Sequence, residues 1–384
     1  MVKRSYKPFF RKLSYLFPAI LFIVLLLNIV LPDRSFSEKE NRVLASRPAL
    51  SVDQILSGQA ETKYETYVND QFVLRDLWVT LKADFDILLG KTESNGVYLG
   101  KSGYLLESFT PPADKRLTAT LDAITSFAQS HTGIHQYMLL APNAVNILKS
   151  HLPFSAPQVN QDQYIDRVKD TVSSAGVTFI DVRDTLRNHM DEQLYYKTDH
   201  HWTTQAAYYA YLAASDPLEL NTAQVSYEKL PASVSFQGTL SAKSGFRSSA
   251  KDELDVFLPK SDVAPEFVVN YVEERKKVGS YYAADRLKTR DKYAMFFDGN
   301  HAQIKITTPS AEGGNLLILK DSYANCLIPF LAPHYRNIVM IDPRYYYGNL
   351  EDLIAAEDIR EILYIYNANT FFADTSLELT LVPQ

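Results

Sequence analysis

Residues 13–31 form a nearly unbroken apolar run of 19 residues, interrupted only by Ser14, Pro18 and Asn28. At ~1.5 Å per helical residue this spans about one bilayer, and it predicts a transmembrane helix over residues 13–32. Lys3, Arg4, Lys7, Arg11 and Lys12 precede the run with no acid among them. That pattern keeps residues 1–12 in the cytoplasm and exports everything after Pro32. A cleaved signal peptide is the alternative. The run ends in Asn28-Ile-Val-Leu-Pro-Asp-Arg34, which lacks the small-residue cleavage signature such a peptide carries, so an uncleaved anchor is favoured.

Residues 33–60 are polar and turn-rich and read as a stalk; residues 61–384 read as one exported domain. Over 60–90, Tyr64, Tyr67, Phe72, Leu74, Leu77, Trp78 and Leu81 recur at helical steps. Asn95-Gly96 and Gly100-Lys-Ser-Gly103 punctuate two short apolar runs, predicting a hairpin over 97–106. After Pro111 the period alternates. Helices are predicted at 114–131, 161–174, 184–190 and 203–214, and strands at 136–140 and 177–182. Residues 220–312 break this rhythm with short alternating stretches and predict a β-rich insertion. The rhythm then returns with strands at 316–320, 338–341 and 361–366 and helices at 323–331 and 350–356. Buried strands alternating with helices define an α/β fold with a mostly parallel sheet covered on both faces.

A net charge of −6 offers no electrostatic footing for nucleic acid. Cys326 is the lone cysteine, so no intrachain disulfide framework exists.

The chemistry concentrates in Tyr195-Tyr-Lys-Thr-Asp199-His200-His201-Trp202. An Asp two residues before a His can accept its Nδ1–H, leaving Nε2 free as a general base. The matching nucleophile is Ser322, where the apolar run Leu316–Leu319 stops at Lys320-Asp-Ser and a helical pattern follows. A serine on a strand-to-helix turn exposes Oγ beside backbone N–H groups suited to an oxyanion. A helix N-cap is the structural alternative for Ser322. The Asp-x-His pair in the same exported segment favours the nucleophile.

Asn143, directly after the 136–140 strand, and Asn300, beside Gly299, are candidate oxyanion donors; ordinary turn use is the alternative for both. His200, Lys197, Arg344 and Tyr345 are candidate acceptor contacts, against a space-filling role for His200 and a solvated loop for the others. Asp199, His200 and His201 are also acceptable Zn²⁺ ligands. Adjacent histidines rarely turn onto one ion, and no further ligand lies at suggestive spacing. The triad is therefore preferred, with no metal and no cofactor.

Ser37-Glu-Lys-Glu-Asn-Arg42, Asp70-Gln-Phe-Val-Leu-Arg75, Val97-Tyr-Leu-Gly-Lys-Ser-Gly-Tyr-Leu105, Thr198-Asp-His-His-Trp202, Gly299-Asn300 and Lys320-Asp-Ser-Tyr-Ala-Asn325 together resemble the DHHW family of bacterial exported proteins. That family is related to SGNH hydrolase-like alginate acetyltransferases. The resemblance implies an SGNH-like three-layer αβα sandwich in which the Asp-x-His pair precedes the serine. It also implies a membrane-anchored extracytoplasmic O-acyltransferase, with Ser322, His201 and Asp199 as its triad. Its partners would be a cell-envelope glycan and a membrane protein that hands over the acyl group. An esterase of the same class, and a catalytically silent glycan-binding or assembly protein, are the alternatives.

Overall fold

The computed structural model describes residues 7–37, 42–49, 51–157, 159–246, 248, 250–260, 266–309 and 311–382. The chain divides into two compact units, Met1–Gly90 with Gly245–Arg247, and Lys91–Ser244 with Ser248–Gln384.

The first unit begins with the helix Lys7–Val30, of which Phe10–Val30 is long and apolar enough to cross a membrane. The short strands Phe36–Ser37 and Arg42–Val43 pair antiparallel. Residues 38–41, most of the Ser37–Arg42 motif, lie outside the described residues. The helical stretch expected over 60–90 is two helices, Gln59–Gln71 and Arg75–Leu88. Leu74 takes a left-handed conformation (φ 55°) between them, which an α-helix cannot continue through. Buried Asp70 accepts the Ala45 N–H at 2.8 Å.

The second unit is built on an eight-stranded sheet. In chain order its strands are β1 (His135–Ala141), β2 (Thr178–Ile180), β3 (Val268–Tyr271), β4 (Lys276–Val278), β5 (Gln303–Thr307), β6 (Gly313–Lys320), β7 (Tyr335–Ile341) and β8 (Glu361–Asn367). Their spatial order is β4-β3-β5-β7-β6-β8-β1-β2. The run β7-β6-β8-β1-β2 is parallel, and β5, β3 and β4 extend it antiparallel.

Strand β6 runs through the middle and is apolar on both faces. Leu316 and Ile318 join one core with Ala206, Ala210 and Tyr211 of the helix Thr204–Ser215. Leu317 and Leu319 join a second with Leu121 and Ile124 of Asp114–Ser130, and Val168 and Val172 of Gln161–Ser174. A period-2 strand buried on both sides gives this continuous hydrophobic reading, and the outcome is three layers, αβα. The segment expected as a β-rich insertion supplies β3, β4 and β5 and a bulged hairpin of Tyr227–Phe236 with Asp252–Pro259.

The helix expected over 323–331 is instead a 3-10 turn, Ser322–Cys326, followed by one short helix, Ile328–Leu331. Pro329 lies in that helix's first turn, the position where its missing N–H is tolerated. The strand expected over 177–182 is limited to β2.

Candidate active site

Ser322 sits where β6 stops. Asp321 stays extended, then caps the 3-10 turn by accepting the Tyr323 N–H at 2.9 Å. The same carboxylate accepts the Asn367 backbone N–H at 2.9 Å and the Asn367 side-chain amide. Asn367 ends β8, the neighbour of β6, so two adjacent strand ends fix the Ser322 turn. Ser322 is partly exposed between the buried Asp321 and Tyr323.

The Asp-His-His-Trp loop is held from three sides. Tyr195 and Trp202 pair across it as an isolated bridge. Buried Asp252 accepts the Lys197 N–H at 2.7 Å, the Thr198 N–H at 2.9 Å and the Thr198 hydroxyl at 2.7 Å. Fully buried Trp202 donates its indole N–H to the Tyr323 carbonyl at 2.9 Å, which draws the loop onto the Ser322 turn.

The result is a connected trio. His201 Nδ1 lies 2.6 Å from Asp199 Oδ1, and His201 Nε2 lies 2.8 Å from Ser322 Oγ. The other Asp199 oxygen accepts the Thr239 N–H at 2.8 Å and the Thr239 hydroxyl at 3.0 Å. Gly238 permits that approach: a Cβ there would meet Asp199 Oδ2 at 2.2 Å. Tyr293 stacks on the His201 ring, with centroids 3.7 Å apart.

The electrostatics suit a neutral base beside a charged acid. Burial pushes the Asp199 carboxyl up, but His201, His200 and the Thr239 N–H outweigh it and hold it well below the usual range. Burial, then the charge of His200, pushes His201 down to about 4 against the opposing pull of Asp199. At neutral pH His201 is therefore unprotonated and able to take a proton.

The other candidate residues fall at varied places. The His200 ring lies tilted against His201, with centroids 3.9 Å apart, and bonds Thr239 Oγ1 through Nδ1 at 2.7 Å. Asn143 is buried; its amide donates to Asn367 Oδ1 at 3.2 Å, and its carbonyl oxygen accepts from Gln161 at 3.0 Å. Asn300 is exposed, and its carbonyl oxygen lies 3.3 Å from both Lys320 Nζ and Asn325 Nδ2. Among the described residues no hydrogen bond joins Lys197, Arg344 or Tyr345 side chains to the trio. Lys197 Nζ lies 5.6 Å over the Tyr104 ring. Arg344 pairs with buried Asp342 at 2.6 Å and sits over Tyr345.

Asp199, His200 and His201 offer ligand atoms within 4.8 Å of one another. Both His201 nitrogens are already engaged, so an ion would have to displace Asp199 or Ser322 from that ring. A cavity of about 490 Å³, lined by His135, Glu219, Glu312 and Glu361 among others, lies at the amino-terminal ends of the parallel strands. Ser322 follows the opposite end of β6.

Tyr293, Gly238, Asp252 and Asn367 carry no motif of their own. Only Asn367 had a readable signal: like Asn143, it closes a predicted buried strand.

The αβα sandwich with its mostly parallel sheet is the SGNH-like fold expected from the sequence. The chain belongs to the DHHW family, whose model, described as DHHW protein, matches residues 88–341. It is similar to the crystal structure of a DHHW family protein from Eubacterium siraeum at 20% identity and a TM-score of 0.63, covering 76% of this chain and 98% of that one. It is also similar to Bacillus cereus PatB1 with a sulfonyl adduct, at 20% identity and a TM-score of 0.58, covering 72% and 96%. No curated protein matches the chain.

Proposed function

We propose that this protein is a membrane-anchored, extracytoplasmic serine O-acyltransferase that moves an acetyl group onto a cell-envelope glycan. One observation carries the proposal: His201 bridges Asp199 and Ser322 through its two ring nitrogens, at 2.6 and 2.8 Å. A serine hydroxyl is a poor nucleophile until a base takes its proton. Here Ser322 Oγ attacks the acyl carbonyl carbon and gives its proton to His201 Nε2; the bond from the carbonyl carbon to the donor's leaving group then breaks, and His201 passes the proton to that leaving group. Asp199 holds the ring and stabilises the imidazolium.

The Ser322 N–H is the backbone donor for the oxyanion. Asn300 is the side-chain donor: among the described residues its amide nitrogen has no hydrogen bond, whereas the Asn143 amide already donates to Asn367.

The basic flank and the apolar helix support an anchor with the N-terminus in the cytoplasm. Outside the cytoplasm no acetyl-CoA is at hand, so a membrane partner delivers the acyl group. The kinship of the DHHW family with glycan acetyltransferases supports acetyl as that group. PatB1 carries a sulfonyl adduct, and an aryl sulfonyl fluoride is the direct test here. Wild type should be modified on Ser322 and Ser322→Ala should not. A wild-type protein that never reacts, and releases no acetyl from a small ester, supports the silent glycan-binding alternative.

A further inference from the structure

A circuit of hydrogen bonds surrounds the trio and uses residues that the triad chemistry does not. Glu107 ends the strand Leu105–Glu107, whose Leu105 N–H donates to the Lys197 carbonyl at 2.7 Å, two residues before Asp199. Lys243 meets Glu107 at 2.8 Å from the helix Thr239–Ser244. The first residue of that helix, Thr239, bonds both Asp199 and His200. Asn369 donates its side-chain amide to the other Glu107 oxygen at 3.2 Å and its N–H to Asn143 Oδ1 at 3.0 Å. Asn143 leads through Asn367 to Asp321. The circuit therefore runs from Asp199 to Asp321, the immediate neighbourhoods of His201 and Ser322.

Three members on its Asp199 side remain open to solvent. Side-chain exposure is 24% for Glu107, 47% for Lys243 and 29% for His200. Burial pushes the Glu107 carboxyl up, and His200 and Lys243 more than offset it, so Glu107 is ionised.

We propose that Glu107, Lys243 and His200 form the acceptor subsite, and that they select an uncharged polyhydroxy acceptor. The carboxylate accepts O–H groups, and so does His200 Nε2, because Nδ1 donates to Thr239 Oγ1, whose own hydrogen goes to Asp199; the ammonium donates to hydroxyl oxygens. The Glu107–Lys243 pair cancels its own charge, so neither an acidic nor a basic polymer gains from it. This rests on the serine acyl-transfer reading. In the second half-reaction an acceptor hydroxyl oxygen attacks the carbonyl carbon of the Ser322 ester. Its proton passes to His201 Nε2, the C–Oγ bond breaks, and Oγ takes the proton back.

The test charges the full-length protein with 4-nitrophenyl acetate and lets methyl glucoside compete with water. Both products leave one acyl-enzyme, so damage to folding or acylation cancels in the ratio of transfer to hydrolysis. Glu107→Gln should lower that ratio at least tenfold, roughly the loss of one charge-assisted hydrogen bond. It should also unpair Lys243, so the acidic methyl glucuronide gains on methyl glucoside, a reversal that a merely structural role would not produce. An unchanged ratio overturns the subsite, as does a wild type that acetylates water but never the glucoside. A wild type that releases no nitrophenol and resists the sulfonyl fluoride rejects the triad itself.

Discussion

Tyr293 lies flat on His201, with ring planes 13° apart, and its hydroxyl donates to the Ser322 carbonyl at 3.0 Å. One side chain thus touches both the base and the nucleophile's backbone. Cys326 Sγ, at the far end of the same turn, lies 3.4 Å from the same hydroxyl.

Tyr293→Ala should empty this space and cost about 3–5 kcal/mol, as large-to-small aromatic substitutions in cores do. Tyr293→Phe keeps the ring and loses only the hydroxyl's hydrogen bond, so about 1 kcal/mol is expected. Denaturant unfolding of both variants checks this. Equal losses would mean that the hydroxyl, not the stacked ring, holds the site.

The two adjacent histidines should separate cleanly. His201→Ala should lose nearly all turnover, roughly 10⁴–10⁶-fold, as removal of a triad base does. His200→Ala should retain most ester hydrolysis. The opposite ranking would make His200 the base. Equal partial losses that added zinc restores would favour the metal site offered by Asp199, His200 and His201.

Much of this site was legible because its signals are local. The apolar run before Lys320-Asp-Ser marks a buried strand and its end, and Asp199-x-His201 is a two-residue spacing that a single loop can realise. What holds the parts together was not legible. Asp321 is latched by Asn367, 46 residues away, and Trp202 reaches the carbonyl of Tyr323, 121 residues on. Hydrophobic period tells which face of a strand is buried, not that β8 lies beside β6. The same limit hid Tyr293, which reads as one aromatic among many. The helix expected over 323–331 failed for another reason. The apolar pattern fits a helix, but the Asp321 cap and Pro329 divide the segment into a tight turn and a separate helix.

The two asparagines make a paired prediction. Asn300→Ala should lower acyl transfer by about 10²–10³-fold, the usual loss when one oxyanion donor is removed. Its exposed position predicts little change in melting temperature. Asn143→Ala strips the buried network of Gln161, Asn367 and Asn369 and should first lower stability. If activity falls only with Asn143, the oxyanion donor lies at the end of β1.

Topology is open to a direct check. Alkaline phosphatase fused after residue 384 should be active, and β-galactosidase at the same point inactive, because phosphatase requires export. Replacing Lys3, Arg4, Lys7, Arg11 and Lys12 with neutral residues should weaken that bias. A full-length protein recovered in the cytosolic fraction would contradict the anchor.

The pH profile tests the electrostatics of the base. An ordinary histidine titrates near 6.5, whereas His201 is pushed down to about 4 by burial first and His200 second. Only neutral His201 can take the Ser322 proton. Activity measured as kcat/KM on a small ester should therefore persist below pH 6.5 and fall as pH drops through about 4. Stability shifts in the same direction. The unfolded chain binds this proton near 6.5 and the folded one resists until about 4, so the contribution present above 6.5 drains away between those values. His200→Ala removes one downward influence and should move the acid limb of activity up, towards 6.5. A wild-type limb already at 6.5, or one that His200→Ala leaves in place, would show that His201 is not the titrating base.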